Sequence, residues 1–181
     1  LEGLPSDFVV TDNHAAMYQL TKELVARGHE RIAFVSPVLD NTAARDRCSG
    51  YRSALRELNL SEKSPEIIVQ NEDESTDLSD AIKRVYETKE KQPSAFVCVN
   101  DGIAGKLLDI LSDMGLAVPS DIEIALVDDN NLREVSGLPL LTAAQRGFEM
   151  GQVCADALIS RIVTPSQAPR GRYLGCEYCL G

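Results

Sequence analysis

No stretch of this chain reaches the roughly 18 consecutive apolar residues that a membrane-spanning helix requires, and no secretory leader is visible. Basic residues are in deficit: 18 Lys and Arg stand against 28 Asp and Glu, a formal charge of −10. Gripping nucleic acid takes clustered Lys and Arg that displace counterions from phosphates, so these 181 residues are not expected to hold DNA by themselves. There is no glycine in "TDNHAA", residues 11–16, which removes a GxGxxG dinucleotide loop after the first apolar run. No P-loop and no GxSxG motif occurs, and neither His14 nor His29 falls opposite a Ser or Cys in a way that suggests a nucleophile and its base. The chain is therefore not expected to be an enzyme. Its five cysteines, Cys48, Cys98, Cys154, Cys176 and Cys179, are odd in number and scattered. That pattern fits a reducing, cytoplasmic setting better than a disulfide framework. Cys176 and Cys179 have CxxC spacing, but no second Cys or His pair completes a zinc site, so neither a metal nor a cofactor is expected. The first residue is Leu1 rather than Met, which raises the expectation of a fragment or processed form.

What is present is an apolar fraction of 44%, enough for a real core, arranged as apolar runs alternating with helical patterns. Strands are expected at "DFVVT" (7–11), "RIAFVS" (31–36), "EIIVQ" (66–70), "SAFVCV" (94–99) and "IEIALV" (122–127). Between them lie helical spacings: Met17, Leu20 and Leu24; Tyr51, Ala54, Leu55 and Leu58; Leu78, Ile82 and Val85; Ala104, Leu107, Leu108 and Leu111. Such alternation implies an α/β fold, a parallel β-sheet flanked by helices, and runs this continuously apolar suit strands buried on both faces. The acidic tract "NEDESTD" (71–77) is expected to be a solvated loop and helix start. Past residue 130 the pattern breaks. "NNLREVSGLP" reads as a long loop, "LLTAAQ" as a short extended run and "GRYLGCEYCL" as one final strand. The helix between them, near 147–163, carries apolar residues around most of its girth and needs cover on two sides.

In open parallel sheets, ligands bind beyond the carboxyl ends of the strands. Polar residues gather where those ends should lie: Thr11, Asp12 and Asn13; Asn41, Thr42, Arg45, Asp46 and Arg47; Asn100 and Asp101; Asp128 and Asp129. Asp12, Asn13 and Asp101 read equally well as helix caps. Arg47, Asn100 and Asp128, taken together, read as ligand contacts, since an Arg fork and a carboxylate each engage adjacent hydroxyls or ring nitrogens. An acidic pair such as Asp128-Asp129 can hold Mg²⁺ in phospho-receiver domains, but those place it after the first strand.

These residues carry a family pattern. "VTDNHAAMYQLTKELVARGHERIAFVSP", "RDRCSGYRSAL", "FVCVNDGIAGKLLDILSDMGLAVPSDIEIALVDD" and "LPLLTAAQRGFEMGQVCADALISRI" resemble, in order and over nearly the whole chain, segments of LacI/GalR-type transcriptional regulators. The resemblance implies a two-lobed, periplasmic-binding-protein-like, effector-binding domain, of which residues 1–181 are mainly the C-terminal lobe, with the strand and helix of 142–163 crossing to the first lobe and the DNA-binding region absent. It implies that Arg47, Asn100 and Asp128 bond a small sugar-like or nucleoside-like effector, and that Asp101 holds its loop. Asp73 stands where many members place a stacking aromatic, which leaves room for a ligand with a positive group. It also implies a homodimer, contact with operator DNA only through a missing N-terminal domain, and no membrane partner. With the first lobe absent, the 147–163 helix is expected to pack against a second copy or to swap between copies. The alternative is a periplasmic solute-binding protein for sugar uptake, for which an odd number of free cysteines is awkward.

Overall fold

In a computed structural model the described residues are 6–69, 75–88, 92–128 and 130–180. Six strands form the main sheet. They are β2 (Ile32–Pro37), β3 (Glu66–Val69), β4 (Ala95–Cys98), β5 (Glu123–Val127), β6 (Leu141–Ala144) and β8 (Glu177–Cys179), in the order β3-β2-β4-β5-β6-β8. All pairings are parallel except β6 with β8. The central strands are buried along their whole length, as continuous apolar runs require. Helices α1 (Asn13–Ala26) and α2 (Thr42–Glu57) pack on each other, and α3 (Ser75–Tyr86) packs on α4 (Asp101–Asp113). Met17, Leu20 and Leu24 of α1, Tyr51 and Leu55 of α2, and Leu107 and Leu111 of α4 join the strands in one core.

Of the expected caps, Asp12 is one, whereas Asn13 and Asp101 are instead the first residues of α1 and α4, and Asn41 and Asn100 hold the cap positions of α2 and α4. Asp12 Oδ1 accepts from the Ala15 N–H at 2.9 Å, Asn41 Oδ1 from that of Ala44 at 2.8 Å, and Asn100 Oδ1 from that of Ile103 at 2.9 Å. Gly28 follows α1 at φ +99°, a conformation that suits glycine.

The tertiary arrangement departs from the expectation at both chain ends. The first strand, β1 (Phe8–Thr11), is not in the main sheet. It pairs in parallel with β7 (Gly171–Leu174) as a separate two-stranded sheet. The expected single strand at 171–180 is therefore two, β7 in the small sheet and β8 at the edge of the main one. The run at 142–144 remains in the main sheet, where Leu126 is opposite Thr142. Buried Leu141, Thr142 and Ala143 suit that interior position, so this strand does not leave the main sheet as expected. The expected loop after residue 130 contains a short helix, α5 (Leu132–Ser136), closed by Gly137 at φ +66°. Helix α6 (Gly147–Val163) leaves the main sheet and packs against β1. It has no buried residue, and Phe148 and Ile162 are 83% and 69% exposed.

Candidate functional site

Strand order reverses between β2 and β4: the chain runs outward from β2 to β3, then returns to place β4 on the other side. At such a point the loops leaving neighbouring strands diverge and open a crevice. Arg47, on the second turn of α2, fills it. Only 5% of Arg47 is exposed. A buried guanidinium is tolerable only if it is paired and hydrogen-bonded. Nη1 donates to the Val99 carbonyl at 2.7 Å and to Asp128 Oδ2 at 2.8 Å, and Nε donates to Asn13 Oδ1 at 2.7 Å.

Asp128 follows β5 in the left-handed region, φ +68°, which Asp tolerates better than most side chains. Its backbone N–H donates to the Ala143 carbonyl at 3.1 Å. Its other oxygen, Oδ1, accepts from Gln145 Nε2, and Gln145 Oε1 accepts from Thr11 Oγ1 at 2.6 Å. A continuous polar relay thus runs Thr11–Gln145–Asp128–Arg47–Asn13. It begins on β1 of the small sheet, passes through the segment between β6 and α6, and ends at the start of α1.

Beside the relay lies a cleft of about 540 Å³, lined by Thr11, Asn13, Arg47 and Gln145, by Thr42 and Asp46 of α2, and by Met150 and Tyr173 from α6 and β7. Helix α2 and the start of α1 form one wall and the small sheet with Met150 of α6 the other.

Two features hold Arg47 in place. Tyr51, one helical turn further along α2, donates its hydroxyl to the Ile32 carbonyl at 2.7 Å, and burial drives its phenol far above the ordinary range. Gly50 lets α2 touch α1: a Cβ there would lie 2.2 Å from the His14 carbonyl oxygen. Cys176, between β7 and β8, is buried close to the same ion pair. Burial pushes its thiol up to about 11, opposed by the Arg47 and Arg146 charges and reinforced by those of Asp128 and Asp12.

Of the candidate ligand contacts, Arg47 and Asp128 are brought into direct contact. Asn100 lies next in sequence to Val99, whose carbonyl Arg47 holds, but its Oδ1 caps α4; of Arg47, Asp128 and Asn100, Arg47 alone lines the cleft. Asp101 accepts from its neighbour's N–H and from Asn130 Nδ2 at 2.8 Å. Asp73 and most of the acidic tract around it lie outside the described residues, as does Asp129. Gln145, which links the two walls, was not among the sequence candidates. Its signal was the one that pointed to Asp128, a polar side chain just past an extended run. His29, by contrast, sits near the opposite ends of the strands, with Nδ1 2.8 Å from Ser94 Oγ and Nε2 3.4 Å from Glu123 Oε2.

A parallel sheet with a crevice at its strand-order reversal, facing a second small sheet, defines a ligand-binding α/β domain. Residues 21–181 match the periplasmic binding protein-like domain. The HTH-type transcriptional repressor PurR of Vibrio atlanticus is 32% identical over 161 residues, 89% of this chain and 48% of that protein. The ribose operon repressor of Haemophilus influenzae is 28% identical over 166 residues, 91% and 49%. Among solved structures, a LacI family regulator from Enterococcus faecalis V583 with bound ribose superposes with TM-score 0.80 at 26% identity, covering 99% of this chain and 63% of that one. A LacI regulator from a Rhodococcus species gives 0.83 at 25%, covering 97% and 64%. The chain belongs to the periplasmic-binding-protein-like domain family, and these relatives are regulators of the LacI/GalR type, as its motifs implied. It spans about half the length of the curated relatives it matches.

Proposed function

We propose that this chain is the effector-binding region of a cytoplasmic LacI-type transcriptional regulator, in which a small sugar-like or nucleoside-like molecule sits in the cleft lined by Thr11, Arg47 and Gln145. The observation that carries this is the relay from Thr11 to Arg47, because it crosses from the small-sheet wall to the α2 wall of the cleft. A ligand that engages both walls changes their relative closure, and it can bias DNA binding only through its differential affinity for the two closures. The named relatives are repressors, which favours this reading over solute uptake. Operator DNA is engaged by parts of the full-length protein beyond these residues. Arg47, which lines the cleft, forms the ligand contact together with its ion-pair partner Asp128, and Asn100 offers its amide at the α4 start. Residues 6–11, α6 and β7 then belong with the first lobe. A homodimer fits the apolar groove between α4 and α5, where Leu108, Leu116, Leu132 and Leu138 surround Val135, itself 84% exposed.

The test is a thermal-shift screen of neutral sugars and nucleosides on the full-length protein, followed by operator binding with each hit. A hit raises the melting temperature and alters DNA affinity, and Arg47→Ala removes both effects. An unchanged shift in Arg47→Ala takes Arg47 out of the site.

A further inference from the structure

Two charged side chains line the cleft, Arg47 and Asp46. Asp128, Arg146 and Glu149 do not line it, but they decide which of the two charges is already matched. Arg47 is matched by Asp128 at 2.8 Å, and Arg146, at the start of α6, pairs with Glu149 at 3.2 Å. Thr11, Gln145 and Asn13 bond within the relay. Asp46 is different. It lines the same cleft one residue before Arg47, it is exposed, and no hydrogen bond or ion pair engages it among the described residues. Arg45, its other neighbour, donates to the Leu39 and Asp40 carbonyls. The uncompensated charge of the cleft is thus one carboxylate, within a chain of formal charge −10. Such a field attracts cations and repels phosphorylated or acidic ligands. Tyr173 lines the cleft as well, its ring held edge-to-face by Phe8 at 5.7 Å and 81°. An aromatic surface accepts both the C–H face of a sugar and an ammonium group.

Resting on the effector-site reading above, we infer that the cleft selects an amino sugar, a ligand carrying a protonated amine beside its hydroxyls, with Asp46 as the carboxylate that receives the ammonium. Arg47 and Asp128 then serve the hydroxyls, and Asp46 decides between an amine and a hydroxyl at one ring position.

Calorimetry on the full-length protein tests this with three matched pairs: glucosamine and glucose, galactosamine and galactose, mannosamine and mannose. A pH of about 6 keeps the amines protonated. At least one amino sugar is expected to bind about tenfold or more tighter than its neutral counterpart, the scale of one charged hydrogen bond. Asp46→Asn brings that pair to equal affinity, Asp46→Glu keeps part of the preference, and Arg47→Ala abolishes binding of both members. A neutral sugar bound equally well, and lost in Arg47→Ala, overturns the amine inference while leaving the effector site standing. Binding indifferent to Arg47→Ala overturns both. A preference that survives Asp46→Asn, or no binding by any of the six sugars, also overturns the inference.

Discussion

The main sheet with its four flanking helices and the smaller assembly of β1, β7 and α6 are built from similarly apolar sequence, yet they bury it very differently. Phe34, Leu107 and Val127 are wholly enclosed, whereas α6 leaves Phe148, Leu158, Ile159, Ile162 and Val163 on the surface. The small assembly is held by polar ties instead. Asp7 takes two hydrogen bonds from Arg161 at 2.9 Å and one from the Arg170 N–H at 2.8 Å, which keep its carboxyl below the usual range. The difference teaches that apolar composition stabilises an element only where a partner surface closes over it. The cleft lies where the two regions meet, so one wall is rigid and the other lightly held.

Mutations that exploit this contrast are expected to rank as follows. Leu107→Ala, in the enclosed core, costs about 3 kcal/mol, while Ile162→Ser on α6 changes stability by less than about 0.5 kcal/mol; urea unfolding measures both. A large loss from Ile162→Ser would mean that the α6 face is covered in solution. Asp128→Ala strands the Arg47 charge and costs about 2 kcal/mol, below the full penalty for a buried ion because Asp128 keeps some contact with solvent. The smallest effect is on pH response. Cys176 has its thiol raised from 9.0 to about 11. The unfolded chain therefore releases that proton first as pH rises. The associated stability is whole below pH 9, falls as pH climbs toward about 11, and is removed from the profile by Cys176→Ala. At neutral pH exposed Cys154 should react with a thiol reagent well before Cys176, and mass spectrometry of the labelled peptides reads the order.

How far the site could be read in advance differs residue by residue. Arg47 and Asp128 were singled out from the polar residues expected near the strand ends, and the fold joins them in one ion pair although Arg47 sits on α2 and Asp128 directly after β5. Asn100 was ambiguous for a chemical reason: the oxygen that could meet a ligand is the same oxygen that caps α4, and the cap takes it. Gln145 escaped notice because its importance comes from two distant partners, Thr11 and Asp128, that only the folded chain brings to it.

Local pattern by itself determined the main strands and helices, the cap at Asp12, and the α/β class, since each depends on residues within a few positions of one another. Tertiary structure alone decided that β1 leaves the main sheet for β7, that residues 171–179 divide between two sheets, and that α6 stands uncovered. Strand partnership is a competition among edges far apart in sequence, and the winner depends on which surfaces the rest of the chain has already closed.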